Sequence, residues 1–242
     1  MTTPDTARRL ATHLFGPGPV PLALLGVGTS GSAAMECVRA QVDRVERERR
    51  DTQMYARAQI AGTDLAVVLE AQGAPAVADI LAMLAASSCR RVLFLGFAKS
   101  LRAAEVGDLI VPTAAVPLDG FTNWFDPGVP TLRVPTAADD LARFLEHQGA
   151  AVTRGLVASV PCVFHNHPKV HERLDSGDID LIEMELASAL WAGQQHGIEI
   201  VPLLVVSDTT TQDLISGFAR RGSAYQRALT LLLDSIRQAS IA

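Results

Sequence analysis

The sequence predicts an α/β fold, and three observations carry that prediction. Short β-branched apolar runs alternate with amphipathic stretches of helical period, aromatic residues make up only 5% of the chain while Ala, Leu and Val are abundant, and one hairpin-like segment interrupts the alternation. Buried parallel strands covered by Ala-rich helices give that composition. The hairpin adds antiparallel pairing, so the expected sheet is mixed, with helices on both faces.

The elements are expected in the following order. Residues 1–18 carry charges and no apolar stretch of signal-peptide length, and they read as an N-terminal helical extension. Strands are expected at 21–28, 91–97, 108–112 and 198–208, where Val, Ile, Leu and Phe run together between Pro, Gly and Asp. The segment 55–71 reads as two strands around Gly62-Thr63. Helices are expected at 74–88, where Val77, Ile80, Leu81 and Leu84 share a face, and at 185–196 and 223–238. The mixed charges of 44–51, RVERERRD, read as a solvated helix face. The Pro/Gly-rich stretch 117–135 reads as a functional loop, and no repeat or linker divides the chain, so one domain over 1–242 is expected.

Composition excludes several classes of function. With 242 residues, 48% hydrophobic, the chain is long enough to bury a full core. A formal charge of -5 without a basic run removes the electrostatic footprint of a nucleic-acid binder. Cys37, Cys89 and Cys162 are odd in number and widely spaced, which signals neither a disulfide framework nor a thiolate metal site. No apolar run approaches a bilayer span, so a cytoplasmic protein acting on small molecules, without nucleic-acid or membrane partners, is expected.

Three motifs carry chemistry. Residues 26–31, GVGTSG, follow a strand and precede a helical stretch, the right context for holding an anion or a ribose against a helix N-terminus. A dinucleotide site also needs an acid at the end of the next strand, and the charge run at 44–51 does not supply a credible one. The histidines His165, His167 and His171 read as a polar loop rather than a metal site, because Pro168 breaks the helix that an i, i+4 zinc pair requires. No metal or cofactor is expected. The richest region is 178–210, where a strand leads through Glu183, Met184 and Glu185 into a helix and the next strand ends at Ser207 and Asp208. Glu185 and Asp208 sit at strand ends, where open α/β sheets place their ligands. Spacing alone serves equally well a capping role, with Asp208 as an N-cap and Glu183 or Glu185 as the first-turn acid of a helix.

The segments LIEMELASAL and VVSD resemble the nucleoside phosphorylase and nucleosidase superfamily, in which a Met-Glu pair follows a short strand and a Ser-Asp pair ends a later one. The segment RVLFLGFAKSLRAAEVGDLIVP (91–112) is similar to that family's strand, glycine-rich turn and Gly-Asp segment. The resemblance implies a three-layer fold with a mixed central sheet, cleavage of the N-glycosidic bond of a purine nucleoside or a relative, and assembly as a dimer or hexamer. It implies that Glu183, Met184, Glu185 and Ser207 bind substrate, with Glu185 accepting from the ribose hydroxyls, that Phe164 stacks on the base, and that Asp208 acts as the general acid. It also implies an anion or water site at Gly28, Thr29, Gly96 and Phe97.

The chain departs from the family at that last site. Phe94 and Phe97 stand where an Arg and a Ser are expected, and apolar rings cannot replace a guanidinium and a hydroxyl toward phosphate. Water is therefore the expected nucleophile, and the segment Ala34-Met35-Glu36 is similar to the one in which the family's nucleosidases carry the base for water, a resemblance that implies Glu36 as the candidate base. Lys99 and the arginines at 47–50 are the cations left to serve a phosphorylase. A nucleoside-binding protein with altered catalysis is the further alternative.

Overall fold

The computed structural model describes residues 4–28, 31–162, 172, 174, 178–213, 215 and 218–238. Among these residues, the strands β1 (Leu22–Val27), β2 (Arg44–Arg50), β3 (Met54–Ile60), β4 (Thr63–Ala71), β5 (Arg91–Ser100), β6 (Leu109–Pro117), β7 (Leu132–Arg133), β8 (Val152–Ser159), β9 (Leu181–Glu183) and β10 (Glu199–Asp208) form one mixed sheet. Helices α1 (Pro4–Phe15), α2 (Gly31–Gln41), α3 (Ala74–Ala86), α4 (Phe121–Phe125), α5 (Ala137–His147), α6 (Leu186–His196) and α7 (Phe218–Arg237) cover it. No helix among them is long and apolar enough to cross a membrane.

The sheet is open at one end and closed at the other. Its open arm runs β2-β3-β4-β1-β5, and β5, β10, β6, β8 and β9 then pair in a ring that returns to β5. The strand β5 is the hinge of this arrangement, pairing in parallel with β1 and β10 and, at its C-terminal end, antiparallel with β9. The carboxyl ends of β1, β5 and β10 consequently point to the same side. That side is where open α/β sheets bind ligands.

Period-two alternation explains why the central strands are apolar throughout. In β1 and β5, Ala23, Leu25, Val92 and Phe94 pack into a core with residues of α1, α3 and α6, while Leu22, Leu24, Leu93 and Leu95 pack into a second core with α2, α5 and α7. Each fully buried Leu or Phe contributes about 1.5–3 kcal/mol relative to exposure, so the two-sided burial fixes the strand register firmly.

Three expectations change. Residues 44–51 are not a helix face: 44–50 form the edge strand β2, antiparallel to β3, with Arg44–Glu46, Arg39–Glu48 and Arg50–Glu70 ion pairs along it. Alternating charge suits an exposed edge, where it discourages pairing with another chain. Residues 95–100 are not a glycine-rich turn, because β5 continues to Ser100. The stretch 117–135 is not all loop, since it holds α4 and β7. The expected hairpin forms between β3 and β4, but its turn is Ala61-Gly62, both at positive φ as in a tight primed turn, one residue before the expected Gly62-Thr63, because Thr63 already pairs with Ile60 in the ladder.

Candidate active site

A cavity of about 730 Å³ opens at the carboxyl ends of β1, β5 and β10. Val27 and Gly28 line it from β1, Phe97, Ala98 and Lys99 from β5, Ile182 to Glu185 from the β9–α6 junction, and Ser207 and Asp208 from β10. Gln72, Asp213, Ile215 and Arg221 complete the wall.

The β9–α6 junction shows how one glutamate frees another. A helix begins with backbone N–H groups that have no partner inside it. Here the Glu183 carboxylate accepts from the backbone N–H of Glu185 at 2.6 Å and of Leu186 at 2.7 Å, and the Ser159 hydroxyl, itself bonded to Glu183, accepts from Ala187 N–H at 2.8 Å. Glu185 occupies the N-cap position, yet its side chain makes no cap bond. It turns instead toward the cavity, where its Oε1 accepts from Gly73 N–H at 2.8 Å. The sequence leaves both glutamates equally suited to capping; the structure gives that role to Glu183 and leaves Glu185 facing ligand space.

Burial raises both carboxyl groups. Glu183, fully enclosed, is pushed up to about 8, first by desolvation and then by the charge of Glu185. Glu185 is raised by burial as well, against the lowering effect of the Gly73 N–H bond.

At the far wall, a register shift between Val206 and Asp208 brings Asp208 level with Lys99 across the β10–β5 pair. Asp208 Oδ1 accepts from the Ser207 hydroxyl at 2.6 Å, and Lys99 Nζ lies 3.4 Å from Oδ2. Asp208 therefore enters the cavity as one half of an ion pair with Lys99.

Gly28, at the end of β1, has an aromatic ring beside it. A Cβ built on Gly28 would lie 3.5 Å from Phe97 Cδ2, and the Phe97 ring packs on Tyr225 at 5.0 Å between centroids. Arg221 Cζ sits 5.9 Å from the centre of the same ring.

The chain carries the signature of a known family over most of its length. Residues 12–236 match the family model described as the phosphorylase superfamily. The chain belongs to the phosphorylase superfamily. Among solved structures, this superfamily member is similar to the 5′-methylthioadenosine/S-adenosylhomocysteine nucleosidase of Campylobacter jejuni (TM-score 0.77, 16% identity, 90% of this chain and 99% of that one). It is similar also to the uridine phosphorylase of Vibrio fischeri (TM-score 0.78, 16% identity, 91% and 92%) and the purine nucleoside phosphorylase of Toxoplasma gondii (TM-score 0.73, 17% identity, 91% and 93%). At these identities the likeness establishes the shared fold, the mixed α/β architecture expected from the sequence. No curated protein is significantly similar.

Against this frame, the cavity brings together Gly28, Phe97, Glu183, Met184, Glu185, Ser207 and Asp208. Thr29, Phe164 and the three histidines lie outside the described residues. Three expectations are not met. Glu36 is exposed on α2 and does not line the cavity. Gly96 is buried inside β5, where an added Cβ would lie 2.7 Å from Val27 Cγ2, so its smallness serves strand packing rather than an anion. Phe94 is fully buried in the α1, α3 and α6 core, because alternation along β5 puts it on the opposite face from Phe97. Of the candidate arginines of β2, Arg47 donates to the His13 carbonyl and Arg50 pairs with Glu70.

Sequence reasoning missed Arg221 and Glu70. Arg220 and Arg221 lie in the first turn of α7, which starts at Phe218 rather than at the expected 223, so the sequence reading left both outside the helix. Glu70 accepts from Gly31 N–H at 2.8 Å at the start of α2, and nothing in its neighbourhood in the sequence marks it.

Proposed function

We propose that this protein cleaves the N-glycosidic bond of a purine nucleoside or a close relative, with water as the nucleophile. The observation that carries the reading is one cavity lined by both Glu185 and Asp208, carboxylates from the β9–α6 junction and the end of β10. Glycosidic cleavage passes through a sugar with oxocarbenium character and releases a base that carries negative charge. Glu185 accepts from the ribose hydroxyls, and Met184 packs against the sugar. Asp208 and its partner Lys99 meet the base and quench its charge as the bond breaks.

Hydrolysis is preferred because the Phe97 ring lies beside Gly28 at the end of β1. A phosphate there would exchange its hydration for an apolar ring. One observation favours phosphorolysis as a second reading: the Arg221 guanidinium lines the cavity beside Phe97 and is a natural partner for an anion. A homo-oligomer belongs to the same reading. Its support is the aromatic surface of α4, where Phe125 stacks on Trp191 and Trp124 is 82% exposed.

The test is chromatography of a nucleoside panel after incubation with the protein, with and without phosphate. Free base and free sugar in phosphate-free buffer are expected. Strict dependence on phosphate, with sugar 1-phosphate as product, overturns hydrolysis in favour of the second reading, and no base release under either condition overturns glycosidic cleavage.

A further inference from the structure

The wall that meets the base holds two groups of opposite hydrogen-bonding character. Lys99 has only donors, and the Asp208 carboxylate has only acceptors. They are fixed side by side: Lys99 is the register partner of Asp208 on β10 and of Ile182 on β9, so strands on either side set its stem. Its ammonium is 3.4 Å from Asp208 Oδ2, while Oδ1 is held by Ser207. Lys99, Ile182 and Asp208 all line the cavity.

A donor beside an acceptor is a pattern that purines distinguish. The edge of a 6-aminopurine that carries N7 offers an acceptor at N7 and a donor at the exocyclic amine, whereas a 6-oxopurine offers two acceptors. A carboxamide reads the first pattern with its own donor and acceptor, and the ion pair presents the same combination from two side chains. A 6-oxopurine would set its O6 against the Asp208 carboxylate, acceptor against acceptor.

Resting on the nucleoside-cleaving reading above, we propose that Lys99 is a catalytic residue and that the Lys99–Asp208 pair selects 6-aminopurine bases. Lys99 donates to N7 and Asp208 accepts from the 6-amino group. As the bond from C1′ to N9 breaks, its electron pair stays with the base, and N7 takes a proton from the Lys99 ammonium. Water adds its oxygen to C1′ and releases a proton to solvent, and the lysine amine regains one from solvent. Asp208 keeps its charge throughout, so the pair acts without a carboxylic acid having to form beside an ammonium.

The experiment compares adenosine and inosine turnover, and the binding of free adenine and hypoxanthine by calorimetry, for the native protein, Lys99→Met and Lys99→Arg. The native protein is expected to favour adenine over hypoxanthine, in binding and in kcat/KM, by about tenfold or more, as a matched pair of base-edge hydrogen bonds gives. Lys99→Met is expected to fold, to lose that preference and to turn adenosine over about 100- to 10,000-fold more slowly, the range for loss of a positioned acid. Lys99→Arg, which keeps donors, is expected to recover part of both. Equal or greater preference for the 6-oxo compounds, or a Lys99→Met variant with native selectivity and rate, overturns the proposal. The two readings fail separately. Selective adenine binding that Lys99→Met abolishes, without turnover of any nucleoside, keeps the recognition and removes the catalysis, whereas cleavage of nucleosides without this selectivity leaves the hydrolase reading standing alone.

Discussion

The carboxylate of Glu183 and the hydroxyl of Ser159 are hydrogen-bonded to each other in the interior, and between them they satisfy three backbone N–H groups at the start of α6. The bond ties β8 to the β9–α6 junction, which carries Met184 and Glu185 into the cavity. Positioning of this wall of the cavity therefore depends on a buried carboxyl group.

That burial predicts a pH dependence of stability. Glu183 titrates near 4.5 when unfolded and at about 8 in the folded protein, so between these values the native state holds a proton that the unfolded chain has lost. Stability contributed by this group should be greatest below about pH 4.5, decline as pH rises toward 8, and change little above it. Glu183→Gln mimics the protonated form: its oxygen keeps both backbone bonds and its amide donates to Ser159. Thermal melts across pH 5 to 9 should show a shallower decline for Glu183→Gln than for the native protein, while Glu183→Ala should melt lower at every pH.

Asp208 and Glu185 should fail differently. Asp208→Asn dissolves the ion pair that sets the Lys99 ammonium against the base and should lower kcat by about two to four decades, while its carboxamide oxygen keeps an acceptor for the base and leaves nucleoside binding nearly intact. Glu185→Gln should raise KM as well, because charge-assisted bonds to ribose hydroxyls are worth roughly 1.5–3 kcal/mol each before and at the transition state. A 2′-deoxynucleoside should suffer less from Glu185→Gln than its ribonucleoside. If steady-state rates per folded protein were unchanged in both variants while melting temperatures dropped, both acids would be structural.

Phe97 should control access of anions to the Gly28 turn. Phe97→Ser removes the ring that packs 3.5 Å from the position of a Gly28 Cβ and leaves Arg221 beside the new space. Phosphate should then affect the rate, as inhibitor or nucleophile, where it has no effect on the native protein. Initial rates over a phosphate series decide this, and a phosphate-insensitive Phe97→Ser variant would separate the ring from the choice of nucleophile.

Gly96 should matter for stability and not for ligand. An alanine Cβ would meet Val27 at 2.7 Å and Leu204 and Phe94 at 3.2 Å, all inside the core. Overpacking of this kind costs about 1–3 kcal/mol, or several degrees in Tm for a chain of this size. KM at a temperature where the variant is folded should stay near the native value, and a selective rise in KM would return Gly96 to the ligand site.

Sequence alone determined the local facts. Two-sided apolar strands, the existence of a hairpin within residues 55–71, the helices around residues 74–86 and 186–196, and the acids at the ends of β9 and β10 are all written in runs of neighbouring residues, because side-chain period and turn chemistry act over short spans. What separated Glu183 from Glu185 was not local, since the decision rests on Ser159 and Gly73, which other strands bring to them. The same holds for 44–50: an alternating charge run fits a helix face or an edge strand until β3 offers it a partner. Glu36, Gly96 and Phe94 had suitable chemistry in sequence, but exposure on α2 and the alternating faces of β5 took them away from the cavity. The Lys99–Asp208 pair belongs wholly to the tertiary structure, because only the register of β5 against β10, with its shift at Ser207, places an ammonium from one strand beside a carboxylate from the other. Cross-strand register is set by the packing of whole faces, and no stretch of neighbouring residues contains it.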